Sequence, residues 1–184
     1  MSDVPPPPPP PAMPPPPAGG VAVPGQSQWG PLASWGERVI GFLIDWVIVV
    51  VPLIALYILA FIFGAIVDIL FIPFFLLAIV WGFAGAFYII GFNNGLGASP
   101  GKKVTGLRVV GEQTGQPIGG GMGIVRHLAH FLDGLCCYIG YLWPLWDAKR
   151  QTFADKVMKT VVTSGHDKTD IQSAIKSSLP IKQG

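Results

Sequence analysis

The sequence lacks charge. Only 12% of its 184 residues are Asp, Glu, Lys or Arg, and half are hydrophobic. A soluble domain carries about 25% charge, so the chain belongs to the membrane class. Cysteine is nearly absent: Cys136 and Cys137 are the only two. Adjacent in an apolar stretch, they exclude a disulfide framework and a zinc site, and read as two small buried hydrophobes. Basic residues form no stripe, and the net charge is only +2, which excludes a nucleic-acid surface. No basic leader precedes an apolar run at the N-terminus, so insertion is expected to rely on the first spanning helix. Nucleotide loops are missing too. Counting back from Gly101-Lys102, a phosphate loop needs glycine where Leu96 stands, and Lys103 replaces its Ser or Thr. A dinucleotide fingerprint starting at Gly95 meets Pro100 instead of glycine. No nucleophile–base pair, metal-ligand spacing or cofactor box is found, so no catalytic residue, metal or cofactor is expected.

What is present is apolar length. The stretch WGERVIGFLIDWVIVVVPLIALYILAFIF, Trp35 to Phe63, exceeds the ~20 residues that cross a bilayer. It predicts a first spanning helix at about 37–63, with Pro52 inside it. Asp45 interrupts the run. A carboxylate there costs at least ~2.5 kcal/mol at the bilayer centre and is kept for a partner or a task. Arg38, Gly41, Phe42, Asp45, Val49 and Pro52 share one helical face. Arg38 is therefore the expected partner of Asp45, its long side chain reaching inward or snorkelling outward. A short link, Gly64 to Asp68, is expected to turn tightly into a second span at about 69–92. Gly82 and Ala86 offer a small-xxx-small approach within that span.

Ahead of these helices, residues 1–33 are low in complexity. The runs Pro5–Pro11 and Pro14–Pro17 exclude helix and sheet and favour polyproline II. The segment is either a docking arm for a partner or a solvated spacer. Trp29 and Trp35 mark the approach to the headgroup layer.

After Asn93-Asn94-Gly95 the chain turns polar. Lys102, Lys103 and Arg108 against a lone Glu112 make the loop cytoplasmic by the positive-inside rule, and the N-terminus with it. KVTGLRVVG reads as a strand, followed by a turn at Glu112–Gln116. A third apolar segment covers about 124–146. Arg126, His130 and Asp133 fall on one face of its first half, while Gly140 and Pro144 interrupt the second. It is a third span, or a re-entrant or interfacial hairpin; the basic residues Lys149, Arg150, Lys156 and Lys159 that follow favour the hairpin. KTVVT, 159–163, would then pair with GLRVV, 106–110. Thr152-x-x-Asp155 has the form of a capping box. His127 and His166 are expected on the surface, Arg126 can snorkel, and Asp68, Asp133 and Asp147 can be wet at the membrane edge. Residues 164–184 are a polar tail in which Ile171, Ala174, Ile175 and Leu179 have helical spacing.

The fold class expected is thus an all-α membrane protein: two transmembrane helices, a third membrane-associated helical segment and a small cytoplasmic β-like loop, within a membrane domain at 34–163. The bilayer is its first partner. Two or three helices cannot enclose a pathway, so either a homo-oligomer or a membrane-protein partner is expected.

The sequence resembles the RDD family of bacterial membrane proteins, named for one arginine and two aspartates. Arg38 and Asp45 in GERVIGFLIDW match the first two, and Asp155 in FADKVMKTVV matches the third. The loop SPGKKVTGLRVV and Arg126 also fit the family pattern. The resemblance covers about Trp35 to Thr163, leaving out the proline-rich tail familiar on actinobacterial members. It implies a small multi-pass protein of the cytoplasmic membrane, with transport of undefined ligands, sodium–proton exchange or an accessory role as the activities attached to the family. Arg38, Asp45, Asp155, Arg126, His130 and Asp133 are then the candidate functional residues. They form a protonatable relay or cation site, or a structural set of buried ion pairs. Transport stands narrowly ahead on the resemblance.

Overall fold

The computed structural model describes residues 26–27, 30–135 and 137–179. The proline runs, Trp29 and Cys136 lie outside the described residues.

The long apolar run forms α1, Trp35–Ile66, longer at both ends than its apolar stretch requires. Its start is fixed by a capping box: the Ser34 hydroxyl accepts from the Glu37 N–H while the Glu37 carboxylate accepts from the Ser34 N–H. Pro52 sits inside the helix, which continues through it. The link expected at Gly64 to Asp68 shrinks to Val67, because α1 runs on to Ile66. A second helix, α2, follows at Asp68–Gly95; it opens with a 3-10 turn and widens into a π-helix at Ala84–Phe92. Both helices are long and apolar enough to cross a bilayer.

Aromatic stacking joins the spans near the turn, with Phe63 and Phe74 rings 4.8 Å apart. Deeper, the Trp81 indole donates to the Val49 carbonyl at 2.9 Å. The close approach is at Gly85, where a Cβ would lie 2.4 Å from Val49 Cγ1. Gly82 is looser: its Cβ would meet only Leu53 Cδ1, at 3.8 Å. The expected Gly82–Ala86 contact is therefore replaced by one centred on Gly85, because Gly85 faces Val49 on α1.

The polar part begins with α3, Pro100–Thr105. KVTGLRVVG is thus not one strand: its first half is helical, started by Pro100 in the first turn and stopped by left-handed Gly106. Only β3, Arg108–Gly111, is extended. It pairs antiparallel with β4, Thr160–Thr163, in the register Arg108↔Thr163 to Gly111↔Thr160, which is the expected pairing. Leu32 and Ala33, just before α1, lie along the other edge of β4; the Ala33 N–H donates to the Val162 carbonyl. Before them, the two-residue strands β1, Gln26–Ser27, and β2, Gly30–Pro31, pair with each other. Ala33, Leu107, Val109 and Val162 make a small core beneath the sheet.

The third segment is not a single helix. It breaks into α4, Gly120–Ala129; α5, Phe131–Leu135; and α6, Ile139–Leu142, with a 3-10 turn at Trp143–Leu145. Cys137 and Tyr138 take left-handed φ values of 52° and 63° and fold α6 back on α5. Gly140 permits the fold: a Cβ there would lie 2.4 Å from Asp133 Oδ1. Cys137 is exposed, contrary to the buried reading, because it occupies this turn. A short helix α7, Phe153–Met158, leads into β4, and α8, Ile171–Lys176, realises part of the helical spacing in the tail. Among the described residues the chain is mainly helical, with the small sheet where the polar loop was expected.

Candidate functional site

Asp155 organises the polar centre. Thr152 and Asp155 form the expected capping box on α7, and the carboxylate is fully buried. Its Oδ1 accepts from Arg126 Nε at 3.0 Å, from Arg126 Nη2 and from the Thr160 hydroxyl at 3.0 Å. Its Oδ2 accepts from Arg38 Nη1 at 2.7 Å and the Thr152 N–H at 3.2 Å. Burial alone would raise this carboxyl, but the charges of Arg126 and Arg38 outweigh it and hold Asp155 well below the ordinary carboxylate range. Asp155 is thus both a helix cap and the shared anion of two arginines. Arg126, expected to snorkel, is instead buried, because α4 aims it at α7 and β4.

Arg38 does not pair with Asp45, which corrects the expectation from their shared face. Its guanidinium turns to Asp155, and among the described residues its buried Nε and Nη2 have no hydrogen-bond partner. Asp45 is buried, 1% exposed, and looks to α3. Oδ2 accepts from the Ser99 hydroxyl at 2.6 Å and Oδ1 from the Gly101 N–H at 2.7 Å. The helices touch backbone to backbone here: a Cβ on Gly101 would lie 2.0 Å from the Gly41 carbonyl oxygen. Lys102 stands beside this contact; burial, only partly offset by Asp45, pulls its ammonium down to about 8.

Asp133 forms a second node. It is not wet at the membrane edge but fully buried. Oδ1 accepts the Phe153 and Ala154 N–H groups at 2.7 and 3.2 Å, so the third segment caps α7 from outside. Oδ2 meets His130 Nδ1 at 2.6 Å. His127, expected on the surface, is half-buried against Phe87, and His166 contacts the Thr163 hydroxyl. Asp68 is exposed as expected, while Asp147 is half-buried and paired with Lys156.

Five of the six candidate residues therefore fall into one connected neighbourhood: Arg38, Arg126 and Asp155 directly, with His130 and Asp133 joined through the start of α7. Asp45 stands a step away on α1. Sequence reasoning missed Ser99, Gly101 and Thr160 as partners, and read Gly140 as an interruption without its contact to Asp133. Pro100 after Ser99 is a helix-start signal that points to the first two; nothing local marks Thr160.

The chain resembles proteins of mycobacteria. It is 55% identical over 83 residues to a proline-rich antigen homolog of Mycobacterium tuberculosis, covering 45% of this chain and 35% of that protein. It is 54% identical over 84 residues to the proline-rich antigen of Mycobacterium leprae, covering 44% and 34%. An uncharacterized protein of Bacillus subtilis, YxaI, shares 42% over 50 residues, covering 27% and 32%. The matched part is about a third of the length of these curated relatives. No solved structure matches. The RDD family model matches residues 32–159, a stretch that includes Arg38, Asp45, Arg126 and Asp155. This chain belongs to the RDD family and is a membrane protein.

Proposed function

We propose that this chain is a non-enzymatic accessory or scaffold protein of the cytoplasmic membrane. Its helices dock on a larger membrane assembly and its proline-rich arm reaches a partner. One observation carries the reading: both motif aspartates are held by donors of the chain itself. Asp155 is held by two permanent cations, and Asp45 by a hydroxyl and a backbone N–H. A translocation site must release and rebind its ion, whereas a carboxylate clamped by two arginines resists both protonation and exchange. The cluster acts as a lock joining α1, α4 and α7. The exposed apolar side chains of α1 and α2, Ile62, Ile69, Val80 and Phe83 among them, remain available to lipid or to partner helices. The N-terminus is cytoplasmic, on the side of Lys102, Lys103 and Arg108.

A second reading is transport of an ion or small ligand by a homo-oligomer. The observation favouring it is Arg38, whose buried Nε and Nη2 have no partner among the described residues. The deciding experiment extracts the native membrane in mild detergent, measures the particle mass and identifies its proteins. A stoichiometric foreign partner, weakened when residues 1–30 are removed, supports the accessory role. A closed homo-oligomer whose ion flux in vesicles is abolished by Asp45→Asn replaces it with transport.

A further inference from the structure

We propose that the groove on the third segment is a binding site for a membrane-soluble molecule with a flat, hydroxyl-bearing ring and an apolar tail. The groove has a volume of about 420 Å³, within the range of small-molecule sites. His127, His130, Tyr138 and Tyr141 line it, with Phe131 and Leu135.

Its polar feature is His130. Asp133 Oδ1 is occupied by two backbone N–H groups, and Oδ2 takes the imidazole Nδ1 at 2.6 Å. A carboxylate in this position keeps the ring proton on Nδ1 and leaves Nε2 with an open lone pair. Nε2 has no hydrogen-bond partner among the described residues and its ring borders the groove. It is therefore a fixed acceptor for a hydroxyl. The rings beside it supply a flat apolar wall. Tyr141 stacks on His130 with centroids 5.7 Å apart and planes at 12°, and Tyr138 continues the stack at 6.3 Å. Tyr141 is held in place twice: its hydroxyl donates to the His130 carbonyl, and its own carbonyl accepts from the Trp35 indole. Phe131 and Leu135, 71% and 65% exposed, extend the wall outward as an apolar track suited to a tail. Two imidazoles without a third ligand do not make a metal centre; among the described residues no group of three or more His, Cys, Asp or Glu is placed to hold a metal ion. The site stands whether the protein is accessory or transporting, since Asp155 and Asp45 do not line it.

The test uses the full chain in lipid nanodiscs, titrated with 2-naphthol and with 2-methoxynaphthalene, each corrected for empty nanodiscs. The two probes share the ring, but only naphthol can donate to Nε2. Naphthol is expected to bind roughly five- to tenfold tighter, the worth of one neutral hydrogen bond. His130→Ala should erase that difference. Gly134→Leu should weaken both probes by filling the groove; a Cβ at Gly134 makes only ordinary contact, 3.9 Å from Tyr138 Cε1. Equal binding of the two probes, or naphthol binding insensitive to Gly134→Leu, overturns the site. So does saturable zinc binding at the two histidines with no naphthol bound.

Discussion

Arg38 and Asp155 lie 117 positions apart and meet at 2.7 Å, tying the start of the first spanning helix to the cap of α7. The bond ties α1 to α7, the short helix that leads into β4. Arg126 completes it from α4, so three elements share one carboxylate.

Removing that carboxylate leaves two buried guanidinium groups facing each other. Asp155→Asn is expected to destabilise the protein by about 3–5 kcal/mol, the usual cost of breaking a buried ion pair from one side. Thermal unfolding in detergent checks it. Arg38→Met, Arg126→Met and Asp155→Leu combined should recover much of the loss, since no charge is then left unpaired. A triple variant worse than Asp155→Asn would show that the pairs contribute more than mutual neutralisation.

The α1–α3 crossing predicts a contrast between two glycines. Gly101→Ala places a methyl 2.0 Å from the Gly41 carbonyl oxygen and 2.9 Å from Asp45 Cγ, against backbone that cannot yield without parting the helices. A loss of about 1–3 kcal/mol or more is expected. Gly82→Ala, with only Leu53 Cδ1 within reach at 3.8 Å, should be neutral or slightly stabilising. Melting temperatures of the two variants, measured side by side, separate them.

Acid should unlock the cluster. The folded pKa of Asp155 lies below its unfolded value, which is near ~3.9. The unfolded chain therefore binds the extra proton first, and stability falls as pH drops below about 4. Above that pH the contribution is complete. Subtracting the pH–stability curve of Asp155→Asn from that of the parent should leave a difference that is flat at neutral pH and shrinks in acid.

Lys102 predicts the opposite edge. Its folded pKa of about 8 lies below an unfolded value near ~10.4, so between these the unfolded state holds the extra proton and stability rises with pH. Below about pH 8 the buried ammonium is a constant cost. Lys102→Met should remove the rise between about pH 8 and 10, read from melting curves across that window. A rise that persists in the variant would assign it to another group.

Much of the architecture was legible from local pattern. Two apolar runs of spanning length have few alternatives, and α1 and α2 follow from them. The pairing of 106–110 with 159–163 was readable because both segments are β-branched and short, and it appears as β3 with β4. Thr152 and Asp155 formed their capping box because that motif needs only four consecutive residues. The reading failed where one pattern served two structures. KVTGLRVVG carries strand-forming residues throughout, yet Pro100 and Gly106 bracket a helical turn inside it. In the third segment, apolar composition could not distinguish a span from three short helices; the left-handed turn at Cys137 and Tyr138 made the difference.

The sequence by itself determined which residues must be dealt with: an arginine and an aspartate in a spanning helix, and a capped aspartate far downstream, each too polar to be left bare in an apolar setting. Tertiary structure alone decided who meets whom. Arg38 and Asp45 share a face but stand two turns apart, about 10 Å along the helix axis. Ser99 and Gly101 reach Asp45 across the α1–α3 contact, and the sheet and α7 carry Asp155 to Arg38. Helical periodicity fixes which side of a helix a group occupies; the partner waiting there is set by packing between segments distant in the chain.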